Sequence, residues 1–100
     1  MPDKYDIDLK PEAEADLDYY KAGVRKTIAD AIEVQLSHEP TKETKNRKAL
    51  RDHPLARWEL RCERYRVFYE VDEDARLVTV VSVGHKERQR LFVRGKEVEL

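Results

Sequence analysis

Residues 57–84 read RWELRCERYRVFYEVDEDARLVTVVSVG. Trp58, Leu60 and Cys62 alternate with Arg57, Glu59 and Arg61, and after a break at Glu63-Arg64, Tyr65, Val67, Tyr69 and Val71 alternate with Arg66, Phe68 and Glu70. A period of two marks half-buried strands. Asp72 to Arg76 has the length and polarity of a turn, and Leu77 to Val83 is apolar and β-branched, as a central strand is. The stretch therefore predicts three antiparallel strands over 57–62, 65–71 and 77–83. Tyr65, Val67, Tyr69 and Val71 share the face that meets the core. Arg57, Glu59, Arg61, Arg66 and Phe68 share an open, concave face, a candidate anion-binding surface. A bulge in any strand would invert part of that assignment.

Upstream, Tyr5 to Leu9 alternates strictly and reads as a first strand. Pro11 suits a helix start, with Glu12, Glu14 and Asp16 where the dipole favours acid. Ala13, Leu17 and Tyr20 form its apolar face, and Gly23 ends it. Val24, Ile28, Ile32 and Leu36 then recur at helical spacing, and Pro40 lies beyond them. Residues 41–54 read as a basic connection anchored by Leu50. After Gly84, HKERQRLF reads as a short basic turn or helix, and residues 93–100 as either a last strand or a tail. Helices followed by strands argue an α+β fold, with the N-terminal strand and helix hairpin packed on one face of a small antiparallel sheet.

One hundred residues suit one domain, residues 1–100. Charged residues make up 41% of the chain, yet the net charge is only -1. Residues 1–40 carry five Lys or Arg against ten Asp or Glu, and residues 41–100 carry fifteen against eleven. The basic half contains the arginine-rich strands, a distribution compatible with a polyanion partner. Cys62 is the single cysteine, so no internal disulfide exists, and its strand position marks it as a core residue. With no long apolar run or signal-like segment, a cytoplasmic protein that does not enter a membrane is expected. His38 and His53 have no partner at meaningful spacing and read as surface residues. No metal-ligand spacing is present, and neither a metal nor another cofactor is expected.

Lys48-Ala49-Leu50-Arg51, Leu60-Arg61, Tyr65-Arg66-Val67-Phe68-Tyr69-Glu70-Val71 and Val83-Gly84-His85-Lys86-Glu87-Arg88 together resemble the RelE/ParE superfamily of bacterial type II toxins. The resemblance covers nearly the whole chain and implies the same α+β fold. It also implies a toxin held by a cognate antitoxin. RelE-like members cut messenger RNA on the ribosome, whereas ParE-like members poison DNA gyrase without nuclease chemistry. A third possibility is a weakened relative that only binds its antitoxin.

Cleaving RNA without metal requires a base for the 2′-hydroxyl, charge stabilisation at phosphorus and a proton for the leaving 5′-oxygen. By the resemblance, Arg66 matches the strand arginine at the scissile phosphate, and Arg57 the first of two basic positions on the preceding strand. Glu59 stands at the second, as a base or as an ion-pair partner. Lys86 stands where relatives carry a second phosphate-binding arginine. Phe92 stands near a tyrosine of the RelE-like nucleases and retains only the ability to stack. His85 is the nearby candidate proton carrier. The expected catalytic set is Arg66, Glu59, His85 and Lys86, with Arg57, Arg61, Lys48, Arg51, Arg88 and Phe92 on the RNA.

Overall fold

A computed structural model describes residues 4–99, so Leu100 of the undecided terminal stretch lies outside the described residues. The elements are β1 (Asp6–Leu9), α1 (Pro11–Asp18), α2 (Ala22–Leu36), β2 (Arg47–Ala49), β3 (Trp58–Cys62), β4 (Tyr65–Asp72), β5 (Leu77–Glu87), β6 (Arg90–Val93) and β7 (Lys96–Val98). Strands β2 to β7 form an antiparallel sheet in chain order, and β1 pairs in parallel with the first half of β5. The α+β class and the three central strands are as expected.

Both helices lie on one face of the sheet. Ala13, Ile28, Ile32 and Leu36 pack there against Leu60, Tyr65, Val67, Tyr69, Val78, Val80 and Val83. Pro11 opens α1 at its first position, with Glu12 and Glu14 in the first turn. The break between helices falls at Tyr19–Lys21 and not at Gly23, which sits inside the first turn of α2. Tyr20 is turned into the core there, and Arg25 Nη1 donates to its carbonyl at 2.6 Å.

Two segments are strands where the sequence suggested none. The basic connection contains β2, which pairs with β3. Its Arg47 is buried, donating from Nη1 to the Gln35 carbonyl and side chain and from Nε to the Lys42 carbonyl, each at 2.9 Å. A cation at the carbonyl end of α2 is favoured by the helix dipole. The basic segment after Gly84 continues β5 to Glu87 and returns as β6. Arg88 and Gln89 make the turn at φ 51° and 69°, and Arg94 and Gly95 turn β6 into β7 at φ 50° and 76°. Consecutive positive φ values fit the twist of two-residue hairpins.

The β4–β5 register shifts between Phe68 and Tyr69: Tyr69 pairs with Val80, but Phe68 pairs with Ser82. Val81 is the extra residue. Beyond it every side chain of β5 changes face, so Val83 and His85 join the helix side and Gly84 and Lys86 the opposite one. On the outer edge of β5, β1 covers residues 77–80 and β6 covers residues 85–87. The buried Asp16 of α1 fills the gap between them. Its Oδ2 accepts from Ser82 Oγ at 2.9 Å and from the Val83 N–H at 3.0 Å, and its Oδ1 lies 3.0 Å from Arg94 Nε.

Candidate functional site

The face of the sheet away from the helices carries the charge. Alternation places Glu59 and Arg61 of β3 beside Arg66, Phe68 and Glu70 of β4, with Phe68 opposite Glu59 and Arg66 opposite Arg61. Lys48 of β2 pairs with Glu59 and joins the same face. From β5 come Gly84, opposite Arg66, and Lys86 two residues on. A Cβ at Gly84 would collide with the Phe92 carbonyl, so only glycine lets β6 cross so closely beside Arg66.

This face is not open along its length. Phe68 is fully buried in a second apolar cluster with Ala56 and Leu91, backed by Leu50, Leu55, Val81 and Val98. The loop between β2 and β3 supplies three of these residues and so covers the middle of the face. Leu50 is an anchor, as expected, though to this smaller cluster.

Glu59 is 5% exposed, and its Oε1 accepts from Arg61 Nε at 2.8 Å. Arg66 folds back along its own strand, with Nη1 donating to the carbonyls of Glu63 and Tyr65 at 2.9 Å each. Its Nε is buried without a hydrogen-bond partner among the described residues. Burial pushes the Arg66 guanidinium below its ordinary range, with Arg61 adding to the shift and Glu59 opposing it. One guanidinium bonded to a buried carboxylate, with a second close enough to feel its charge, makes a strong and uneven field.

Arg57 is largely exposed, with Nε 3.8 Å from Glu70 Oε1 and its N–H donating to Glu70 Oε2 at 3.1 Å. Arg51 lies in the exposed part of the loop, and Arg88 is exposed at the tip of the β5–β6 turn. Neither is brought up to Glu59 by strand pairing.

His85 and Phe92 are placed elsewhere. The Val81 bulge turns His85 to the helix side, where it is 6% exposed and pairs with Tyr65. Its Nδ1 lies 2.7 Å from the Tyr20 hydroxyl and its Nε2 3.1 Å from Glu87 Oε2. Phe92 pairs with it and stacks on it at 5.7 Å. The sheet therefore separates both residues from Arg66 and Glu59, contrary to the expected acid–base pair of Glu59 and His85. Burial first, then the charges of Tyr19, Tyr65 and Asp16, push the Tyr20 phenol up to about 12, against the opposing effect of Arg64.

A different histidine stands on the charged face. His53, read from sequence as a surface residue, stacks on Phe68 with ring centroids 5.1 Å apart and planes 22° apart. Its Nδ1 accepts the Leu55 N–H at 3.1 Å. Burial lowers its pKa from 6.5; Glu59 opposes that shift and Lys86 adds to it. A cavity of about 350 Å³ opens beside it, lined also by Leu50, Leu55, Arg57 and Glu70. The available signal was the apolar company of Leu50, Leu55 and Ala56, since a loop with three such residues must cover something. Among the described residues no cluster of His, Cys, Asp or Glu could hold a metal, and no helix is long and apolar enough to cross a membrane.

The model of a family described as the ParE toxin of the type II toxin–antitoxin system parDE matches residues 7–90. The fold is similar to a chain of the RelBE2 toxin–antitoxin complex from Mycobacterium tuberculosis, 23% identical over 83% of this chain and 92% of that one, with a TM-score of 0.73. A chain of the intact E. coli RelBE complex is 27% identical over 84% of this chain and 99% of that one, at a TM-score of 0.64. A chain of the archaeal RelE–RelB complex from Pyrococcus horikoshii OT3 is 17% identical over 85% and 98%, at 0.68. Among curated protein sequences nothing matches.

Proposed function

The chain belongs to the RelE/ParE superfamily and is a type II toxin of a toxin–antitoxin system, and from that premise we propose that it cuts messenger RNA on the ribosome without a metal. The observation that carries this reading is the buried carboxylate of Glu59, bonded to Arg61 with the charge of Arg66 nearby on the same sheet face. Arg61 occupies Oε1, and Oε2 has no partner among the described residues. In this reading Oε2 takes the proton of the 2′-hydroxyl. The 2′-oxygen bonds to phosphorus as the bond to the 5′-oxygen breaks, leaving a cyclic phosphate. Arg61 and Arg66 hold the charge that builds on the phosphoryl oxygens, and the Lys86 ammonium protonates the departing 5′-oxygen. Lys48, Arg57, Arg51 and Arg88 extend the basic surface along the RNA. The partner that keeps the toxin inactive is an antitoxin whose acidic segment covers this face. Its target places the toxin's action in the cytoplasm.

The test is Arg66→Ala, expressed without antitoxin, with RNA ends mapped in a translating lysate. Cutting should fall on the order of 100-fold, the usual loss for one transition-state donor. Arg66→Lys should recover part of it, because a point charge lacks the planar fork. Folding stability should change by less than about 1 kcal/mol, since Nη1 bonds only to carbonyls near the β3–β4 turn. A second reading, poisoning of DNA gyrase, is favoured by the ParE description of the matching family. An unaltered RNA profile together with lost gyrase supercoiling would replace the first reading with the second.

A further inference from the structure

Resting on the nuclease reading, we infer that His53 serves the site as a fixed, neutral hydrogen-bond donor through Nε2–H, aimed at an oxygen of the RNA phosphate, and does not carry the proton. The geometry decides the tautomer. A ring nitrogen that accepts a backbone N–H bears no proton, and Nδ1 accepts that of Leu55 at 3.1 Å. The neutral ring must then hold its proton on Nε2. Protonating Nδ1 would set two donors against each other and lose that bond. Stacking on the fully buried Phe68 fixes the plane of the ring, so the donor direction is set before any ligand arrives. Among the described residues Nε2 has no protein partner, so the donor is unspent.

The charged groups around the ring agree. Glu59 favours the imidazolium and Lys86 disfavours it, while burial adds to the effect of Lys86. Asp52 is its chain neighbour and is exposed; Arg57 and Glu70 line the same cavity but pair with each other. The net direction is towards the neutral ring. A neutral donor suits a phosphoryl oxygen that gains charge in the transition state, because its strength does not depend on a titration near neutral pH. It also divides the work of the face: Glu59 and Lys86 move protons, and His53 with the two arginines receives charge.

Two measurements test this. Nitrogen-15 NMR of the intact protein at pH 7 reads the tautomer directly and should find Nδ1 bare and Nε2 protonated. RNA cutting in a translating lysate should fall at least tenfold in His53→Ala. It should be recovered in large part by His53→Gln, whose amide offers a donor near the same place but cannot carry a proton. The ratio of wild-type to His53→Gln rates should stay constant from about pH 6.5 to 8, where an ordinary imidazole still loses its remaining proton. A protonated Nδ1 at pH 7, or His53→Gln as inactive as His53→Ala with both folded, overturns the inference while leaving the nuclease reading intact. A wild-type protein that cuts no RNA in any such lysate overturns the reading, and the phosphate contact with it.

Discussion

The two faces of this sheet are built by different rules. On the helix side, Leu60, Val67, Tyr69, Val78, Val80 and Val83 are wholly buried beneath two helices. Two phenols that enter that layer are paired: the Tyr69 hydroxyl donates to the Pro40 carbonyl at 2.6 Å, and the Tyr20 hydroxyl meets His85. On the other side a smaller cluster around Phe68 is covered by a loop and a hairpin, with a buried carboxylate at its margin and, beside it, an Arg66 Nε that has no hydrogen-bond partner among the described residues. The first face spends its sequence on stability. The second holds charges at the edge of an apolar patch, where water is scarce and electrostatic forces act at full strength.

Phe68→Ala is the harshest way to test that division. Removing a fully buried phenyl ring should cost about 4 kcal/mol by urea denaturation. Because His53, Leu50 and Leu55 rest on that ring or its cluster, the loss should also speed amide exchange across residues 50–57 and, on the proposed nuclease reading, suppress RNA cutting. Leu60→Ala lies back to back with it, on the helix side. It should cost about 3 kcal/mol and leave exchange in that loop and the activity of the folded fraction unchanged. Similar loop exchange in both variants would erase the distinction between the faces.

Tyr20→Phe should have a smaller effect, about 1 kcal/mol near pH 7, because His85 Nδ1 loses its partner. Its value lies in the pH dependence. The phenol is pushed from 10.0 up to about 12 in the fold, so the unfolded chain ionises first as pH rises. That contribution is complete below pH 10 and is lost between 10 and about 12. The variant should lack this part of the alkaline loss in a series of thermal melts. An unchanged alkaline slope would mean that the hydroxyl is not held within the helix-side layer.

The central strands were legible because Trp58 to Cys62 and Tyr65 to Val71 each alternate, with only the polar Glu63-Arg64 break between them, and a half-buried strand has no other economical pattern. β2 was not, because Arg47-Lys48-Ala49 has no strand signature; β3 and the Arg47 contacts to α2 impose the conformation. The β5–β6 hairpin was hidden by a turn built from Arg88 and Gln89, which seldom take positive φ, whereas a last strand within 93–100 was one of the two readings left open. The largest error concerned the site. His85 was read as part of a short turn or helix beside the site, whereas β5 runs on to Glu87 and the bulge at Val81 turns His85 to the helix side and Lys86 to the charged one. Nothing in a run of valines shows which one is extra. His53 escaped for the complementary reason, since its position depends on the apolar residues that flank it in the loop.

The pairing of β1 with β5 has a consequence for how the toxin is made. Residues 6–9 leave the ribosome early, yet their partners are residues 77–80, so β1 has no strand to join until most of the chain has been synthesised. Asp16 waits longer still, because Arg94 lies beyond β6. Loop closure over such spans is slow compared with local pairing. The helices can coil early, but the sheet that carries Glu59 and Arg66 completes its edges only once β5, β6 and β7 have been made. The toxin fold is therefore unfinished until strands far along the chain from β1 have been made.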